Sequence, residues 1–205
     1  MSALVTVFAW GFIFACASAS GVFAGMLVAS RIDAFDDGPP PRLLHPAVPV
    51  LAFAVLGLAL ALRGATIAQL GTVALIAIPF AGIWYVDARK GIVPDLFTLL
   101  PLAVIGLSIV VRHTWFVAIS IAFLFGVFAV AAVASKGRGM GWGDAKLAAL
   151  VGAVLGLQTS LLALALACLV ATVVSVVRDR GTRPIAFAPY MIVVTLAAIA
   201  ISIHA

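Results

Sequence analysis

The sequence predicts an all-α protein: a polytopic membrane bundle of about eight transmembrane helices, with both termini on the outer face. Three observations predict it. The 205 residues are 65% hydrophobic and only 9% charged, with a mean hydropathy of +1.31, a composition expected of membrane spans and not of a soluble domain. The few charges gather between long apolar runs. The basic residues also fall very unevenly on alternate sides of those runs. The net charge of +5 therefore reads as cytoplasmic loop charge, and no nucleic-acid partner is expected.

The first apolar segment runs from about Ala3 to Ala29. It has no basic region before it and is too long for a cleaved signal peptide, so a true span is expected. Gly11, Gly21 and Gly25, with Ala17 and Ser18, make a small-residue face suited to close helix packing. The loop Arg31 to Pro46 follows, with Asp33, Asp36, Asp37 and a glycine followed by three prolines at 38–41. Successive prolines exclude helix and favour an extended linker. The second span is about Ala47 to Leu62, ended by Arg63 and Gly64. The third, about Thr66 to Val86, contains Pro79 as a point of kinking and ends at Asp87.

A short polar stretch, Asp87 to Asp95, leads to the fourth span, about Leu96 to Val111, closed by Arg112 and His113. The fifth is about Thr114 to Ala134. Glycines at 137, 139, 141 and 143 then exclude a helix over that loop and let another chain come close. The sixth span, about Asp144 to Leu157, is short for a hydrocarbon layer of about 30 Å at about 1.5 Å per residue. Gln158 and Thr159 turn the chain into a seventh span, about Ser160 to Val177. Arg178 to Pro184 leads to the eighth, about Phe187 to Ile203. Residues 1–205 are read as one integral-membrane domain.

Orientation follows from the loops. One set holds Arg31, Arg42, Arg89, Lys90, Lys136, Arg138, Lys146, Arg178, Arg180 and Arg183; the other holds only Arg63 and Arg112. The rich side is expected to be cytoplasmic. A wrong span count would scramble the split, so it supports the eight-span layout too. Cys16 and Cys168 lie inside apolar segments with no CxxC pair. Neither a zinc site nor a disulfide is expected, only free thiols packed between helices.

All seven acids are aspartates. Asp33, Asp36 and Asp37 in the proline-rich loop, and Asp179 between arginines, read as solvated charge. Asp87, Asp95 and Asp144 sit at membrane boundaries on the predicted cytoplasmic face, where ionisable residues are costly and point to function. For Asp95, after Pro94, an N-cap role is sufficient. Asp144 opens a helix, which suits an acid. Asp87 closes one, the wrong end for a negative charge, so Arg89, Lys90, a shared proton or outright protonation must stabilise it. Two carboxylates from separate helices at one half-buried site are the minimum for aspartic proteolysis. Like charges at short range cannot both ionise, so one proton is shared. The glycine loop would let Asp144 approach Asp87 and leave room for an extended substrate.

These residues resemble the type IV prepilin peptidases, among the GxGD aspartic proteases of membranes. The first matching block is Asp87-x-Arg89-x-x-Ile92-Val93-Pro94-Asp95-x-x-Thr98-Leu99. The second is Gly139-Met140-Gly141-Trp142-Gly143-Asp144-x-Lys146-Leu147, continuing through Gly152 and Gly156. A third, weaker block is Pro184-Ile185-Ala186-Phe187-Ala188-Pro189; the family usually shows Phe-Gly-Pro there, and Ala188 departs from it. The likeness covers about residue 73 to the end. Tyr85 stands two before Asp87, not adjacent as in the presenilin-like branch.

The resemblance implies that Asp87 and Asp144 are the catalytic pair. Gly141, Trp142, Gly143, Lys146, Pro94, Asp95, Phe187 and Pro189 would bind substrate or shape the site. It implies cleavage of the short basic leader of a prepilin or pseudopilin at the cytoplasmic face of a prokaryotic plasma membrane, just before the precursor's hydrophobic helix. No cofactor or metal is called for. Many members carry a cytoplasmic insert with paired CxxC motifs and also methylate the new N-terminus; here the first loop is short and lacks cysteine, so neither zinc nor methyltransferase activity is expected. Lys146, two positions after Asp144, suits a lipid-phosphate anchor as well as a site role. Two other functions compete: a GxGD protease acting on other signal peptides or membrane anchors, and a small proton-coupled transporter using the aspartates as a relay. A peptide panel, or proton-coupled flux lost in Asn variants, separates them.

Overall fold

A computed structural model describes residues 3–32, 45–135, 140–179 and 186–202. The expectations for the acidic proline linker, for Gly137 and Gly139, and for Pro184 lie outside these residues. Among the described residues the chain forms eight α-helices: α1 (Ala3–Ala29), α2 (Ala47–Leu62), α3 (Ile67–Lys90), α4 (Asp95–Arg112), α5 (Trp115–Ala134), α6 (Trp142–Leu155), α7 (Leu157–Asp179) and α8 (Ala188–Ser202). Five of them, α1, α3, α4, α5 and α7, are long and apolar enough to cross a membrane, and α2 and α8 are shorter apolar helices. Large apolar side chains stay exposed along them, such as Phe12, Val104, Leu107, Phe116, Leu162 and Val177. Such a surface suits hydrocarbon, where backbone polar groups must be satisfied within each helix.

The helices divide into two compact units, Met1–Gly91 with Ile199–Ala205, and Ile92–Ala198. In the first, α1 packs against α3 and α2. Glycine makes that packing possible. A Cβ on Gly21 would lie 2.0 Å from the Ile78 carbonyl oxygen, and one on Gly25 would lie 3.0 Å from that of Gly82. The small-residue face of α1 thus brings two helix backbones together, as small residues do between membrane helices. Gly57 of α2 similarly accepts the Phe14 ring, 2.6 Å from where a Cβ would stand. Thr66 and Gln69 form a capping box at the start of α3, satisfying two orphan amides reciprocally. Arg63 donates to the Ala200 carbonyl at the end of α8.

In the second unit α6 is central, touching α4, α5 and α7. Its residues from Leu147 to Gly152 are all buried. Gly152 lets α5 approach: a Cβ there would meet Leu124 Cδ1 at 2.6 Å and the Ser120 carbonyl oxygen at 3.1 Å. Gly156, with φ +74°, breaks the chain between α6 and α7 in a conformation that glycine adopts without penalty. Near this break the Ser160 hydroxyl donates to the Val151 carbonyl at 3.1 Å.

Three boundaries and one cysteine differ from expectation. Helix α3 continues past Val86 to Lys90, because polar side chains at a helix end do not interrupt its hydrogen bonds. Gly91, at φ +66°, ends it instead, as a left-handed C-terminal glycine does. Helix α6 starts at Trp142, so Gly143 is inside the first turn, where the cost of glycine is tolerated. The α6–α7 turn falls at Gly156, leaving Gln158 and Thr159 inside α7. Cys16 is exposed and not packed between helices, while Cys168 is half-buried.

Candidate active site

Asp87 lies in the last turn of α3. The helix is buried on every side from Phe80 to Asp87, and Asp87 itself is 5% exposed. This length is apolar apart from Tyr85 and Asp87, so it folds as a core helix that carries its acid inward. The Gly91 amide donates to the Asp87 carbonyl at 2.7 Å. That cap ends the helix one turn beyond the acid and fixes its backbone. Arg89, an expected partner for Asp87, donates to the Tyr85 hydroxyl at 3.3 Å.

Asp144 occupies the third position of α6 and does not open the helix as expected. Gly141 is the cap residue, extended at φ −94° and ψ 160°. Its amide donates to Asp144 Oδ2 at 3.0 Å, and its carbonyl accepts from the Asp144 amide at 3.1 Å. The carboxylate folds back on its own helix start, where amides and dipole favour a negative charge. Asp144 is half-buried, with Ala145 and Leu147 fully enclosed beside it.

The remaining predicted site residues divide. Asp95 is the first residue of α4 and Pro94 is its cap. Asp95 therefore does not cap with its side chain; it forms an ion pair with Lys146 Nζ at 2.5 Å. Lys146 thus has a protein partner and not only the lipid role open to it. Gly143 packs on the link before α4, where its Cβ would be 2.7 Å from Val93 Cβ and 3.4 Å from the Val93 nitrogen. Trp142 is 54% exposed and tilts against Phe125, ring centroids 6.5 Å apart. Phe187 precedes α8, its carbonyl accepting from the amides of Tyr190 and Met191. Pro189 lies in the first turn of α8 and is half-buried. Ala188, where glycine was expected, is fully buried.

Val93 and Phe125 were not singled out from sequence. Val93 stands within the first motif block, but nothing in its apolar character announces a contact 50 residues on. Phe125 is one of many aromatics in an apolar run. Among the described residues no group of three or more His, Cys, Asp or Glu is gathered as metal ligands would be.

Comparison with curated proteins and with solved structures returns no significant match. A protein-family model does match: that of the type IV leader peptidase family, over residues 74–176. The matched stretch contains Asp87, Asp95, Gly143, Asp144 and Lys146, and extends over half of the chain. The chain belongs to the type IV leader peptidase family.

Proposed function

We propose that this peptidase is a membrane aspartic endopeptidase in which Asp87 and Asp144 work as a pair. One carboxylate is ionised and takes a proton from water as the water oxygen attacks the peptide carbonyl. The other is protonated and donates to the carbonyl oxygen. When the C–N bond breaks, the pair gives its proton to the leaving amine and takes one back from a hydroxyl of the tetrahedral intermediate as that carbon becomes the new carboxyl, so the dyad again holds one proton. The net change is addition of water across one amide. The substrate is the short basic leader of a type IV prepilin or pseudopilin, cut at the cytoplasmic face of a prokaryotic plasma membrane. All eight helices serve a single membrane-embedded catalytic domain.

The observation that carries this is the family match over residues 74–176, which spans both aspartates. Two further facts support it. Each acid lies in an end turn of a helix that is otherwise strongly apolar. Ten of the twelve basic residues fall on the loops of one side, the side on which both acids lie if the spans alternate.

Co-expression with prepilins from the same genome tests it, scored by loss of the leader. Wild type should cleave, while Asp87→Asn and Asp144→Asn should leave the precursor intact at equal expression. Cleavage that survives either change overturns the dyad. Cleavage of unrelated membrane anchors instead of prepilins would move the enzyme to another substrate class.

A further inference from the structure

The segment Val93-Pro94-Asp95 touches α6 at two points. Val93 packs on Gly143, at 2.7 Å from where its Cβ would be, and Asp95 pairs with Lys146 at 2.5 Å. Gly143 and Lys146 are three residues apart, so they share a face of the helix. Val93 and Asp95 are two apart, with the extended Pro94 at φ −69° and ψ 137° between them. The proline ring holds φ near this value, so the spacing of the two contacts is stiff. A short, rigid strut thus lies along one side of the first two turns of α6.

Asp144 follows Gly143 and stands two residues before Lys146, about 200° round the helix from the lysine at 3.6 residues per turn. The strut therefore grips α6 on a side from which the Asp144 carboxylate is turned away. Asp95 is 61% exposed and Lys146 25% exposed, and an ion pair so open to solvent adds little to global stability. What it can do is set the rotation and height of one helix turn. Misplacement of a reacting group by about 1 Å can cost on the order of a hundredfold in rate.

We propose that Asp95 and Lys146 are positioning residues, whose ion pair beside the Gly143–Val93 contact sets where the Asp144 carboxylate points. This rests on Asp144 being catalytic. Neither residue need touch substrate.

The test uses the full chain in proteoliposomes, with the prepilin precursor that wild type cleaves in co-expression. Lys146→Met and Asp95→Asn should each lower kcat about ten- to a hundredfold with KM held within about twofold. The double variant should be no worse than the poorer single one, since both remove the same contact. Lys146→Arg and Asp95→Glu should recover most of kcat. A second readout is independent of turnover: spin labels on Leu99→Cys and Trp142→Cys, in a chain with Cys16 and Cys168 replaced by Ala. The distance distribution between them should broaden in Lys146→Met and narrow again in Lys146→Arg. Unchanged kcat in Asp95→Asn, an effect confined to KM, or additive losses would overturn the proposal. So would an effect of Lys146→Met that depends on anionic lipid while Asp95→Asn is silent, which would make the lysine a lipid anchor. If Asp144→Asn stays active, the dyad itself fails, and the label distances still report whether the pair orders the turn.

Discussion

The last turn of α3 and the first turn of α6 each carry an aspartate, and the two turns treat the same side chain in opposite ways. Asp144 is at a helix start, half-buried, with its carboxylate accepting the Gly141 amide at 3.0 Å. Asp87 is at a helix end, 5% exposed, where backbone carbonyls and the dipole disfavour a negative charge. The backbone at a helix start favours an anion and the backbone at a helix end does not, while burial of either carboxyl works against its charge. If the two aspartates work as the proposed pair, such a difference would separate the proton donor from the acceptor. The supports differ too. Asp87 is held by a helix buried all round and capped by Gly91, whereas the Asp144 turn is gripped at its side by Val93 and Asp95.

The largest effects should come from neutralising the acids. Asp87→Asn and Asp144→Asn should each reduce peptide cleavage by about three orders of magnitude or more, measured by leader release in proteoliposomes. Asp→Glu should sharpen the contrast: the enclosed Asp87 should tolerate the extra methylene worse than half-buried Asp144. Equal losses would mean that the two surroundings are equivalent in the working enzyme.

Next is pH. One proton shared by two carboxyls requires one charged and one neutral group, so kcat should rise as the first ionises and fall as the second does. The result is a bell with two apparent values belonging to the pair, and outside it the rate should fall about tenfold per pH unit. A flat profile over the range in which the fold survives would exclude dyad chemistry.

Steric tests are smaller. Gly21→Ala would place a Cβ 2.0 Å from the Ile78 carbonyl and should cost about 3 kcal/mol, at the upper end for overpacking, read by thermal unfolding in detergent. Its effect should reach Asp87 through α3 as a shift of the whole helix. Gly143→Ala, at 2.7 Å from Val93 Cβ, should cost about 1–2 kcal/mol but lose more activity than Gly21→Ala relative to its stability loss. Val93→Ala should not rescue it, because the clash is with Val93 Cβ, which alanine keeps. The smallest is Gly91→Ala, where space is open but φ is +66°; about 1 kcal/mol is expected, with cleavage nearly retained.

Much was legible because the physics behind it is local. Helices α1 and α2 begin and end where apolar runs meet loop, proline or Arg63-Gly64, and the structure has the same limits. Thr66-x-x-Gln69 is a capping box written in four residues, although the apolar pattern alone did not draw attention to it. The ends of α3, α6 and α7 were misread where a polar or glycine residue was treated as a boundary. A helix end is decided by which residue can leave the ladder with its last groups satisfied, and Gly91, Gly141 and Gly156 do that.

The residues of one chain thus determined the all-helical class, most of the helix limits, the small-residue face of α1 and the aspartates worth testing. These follow from hydropathy, periodicity and backbone freedom, each a property of neighbours in sequence. Only the tertiary structure decided that Gly21 meets the Ile78 carbonyl, that Val93 rests on Gly143, and that Asp95 gives up a capping role to hold Lys146, 51 residues away. Those contacts depend on the distance and rotation between helices. That geometry is set by close packing of whole helix faces, and no short stretch of sequence contains it.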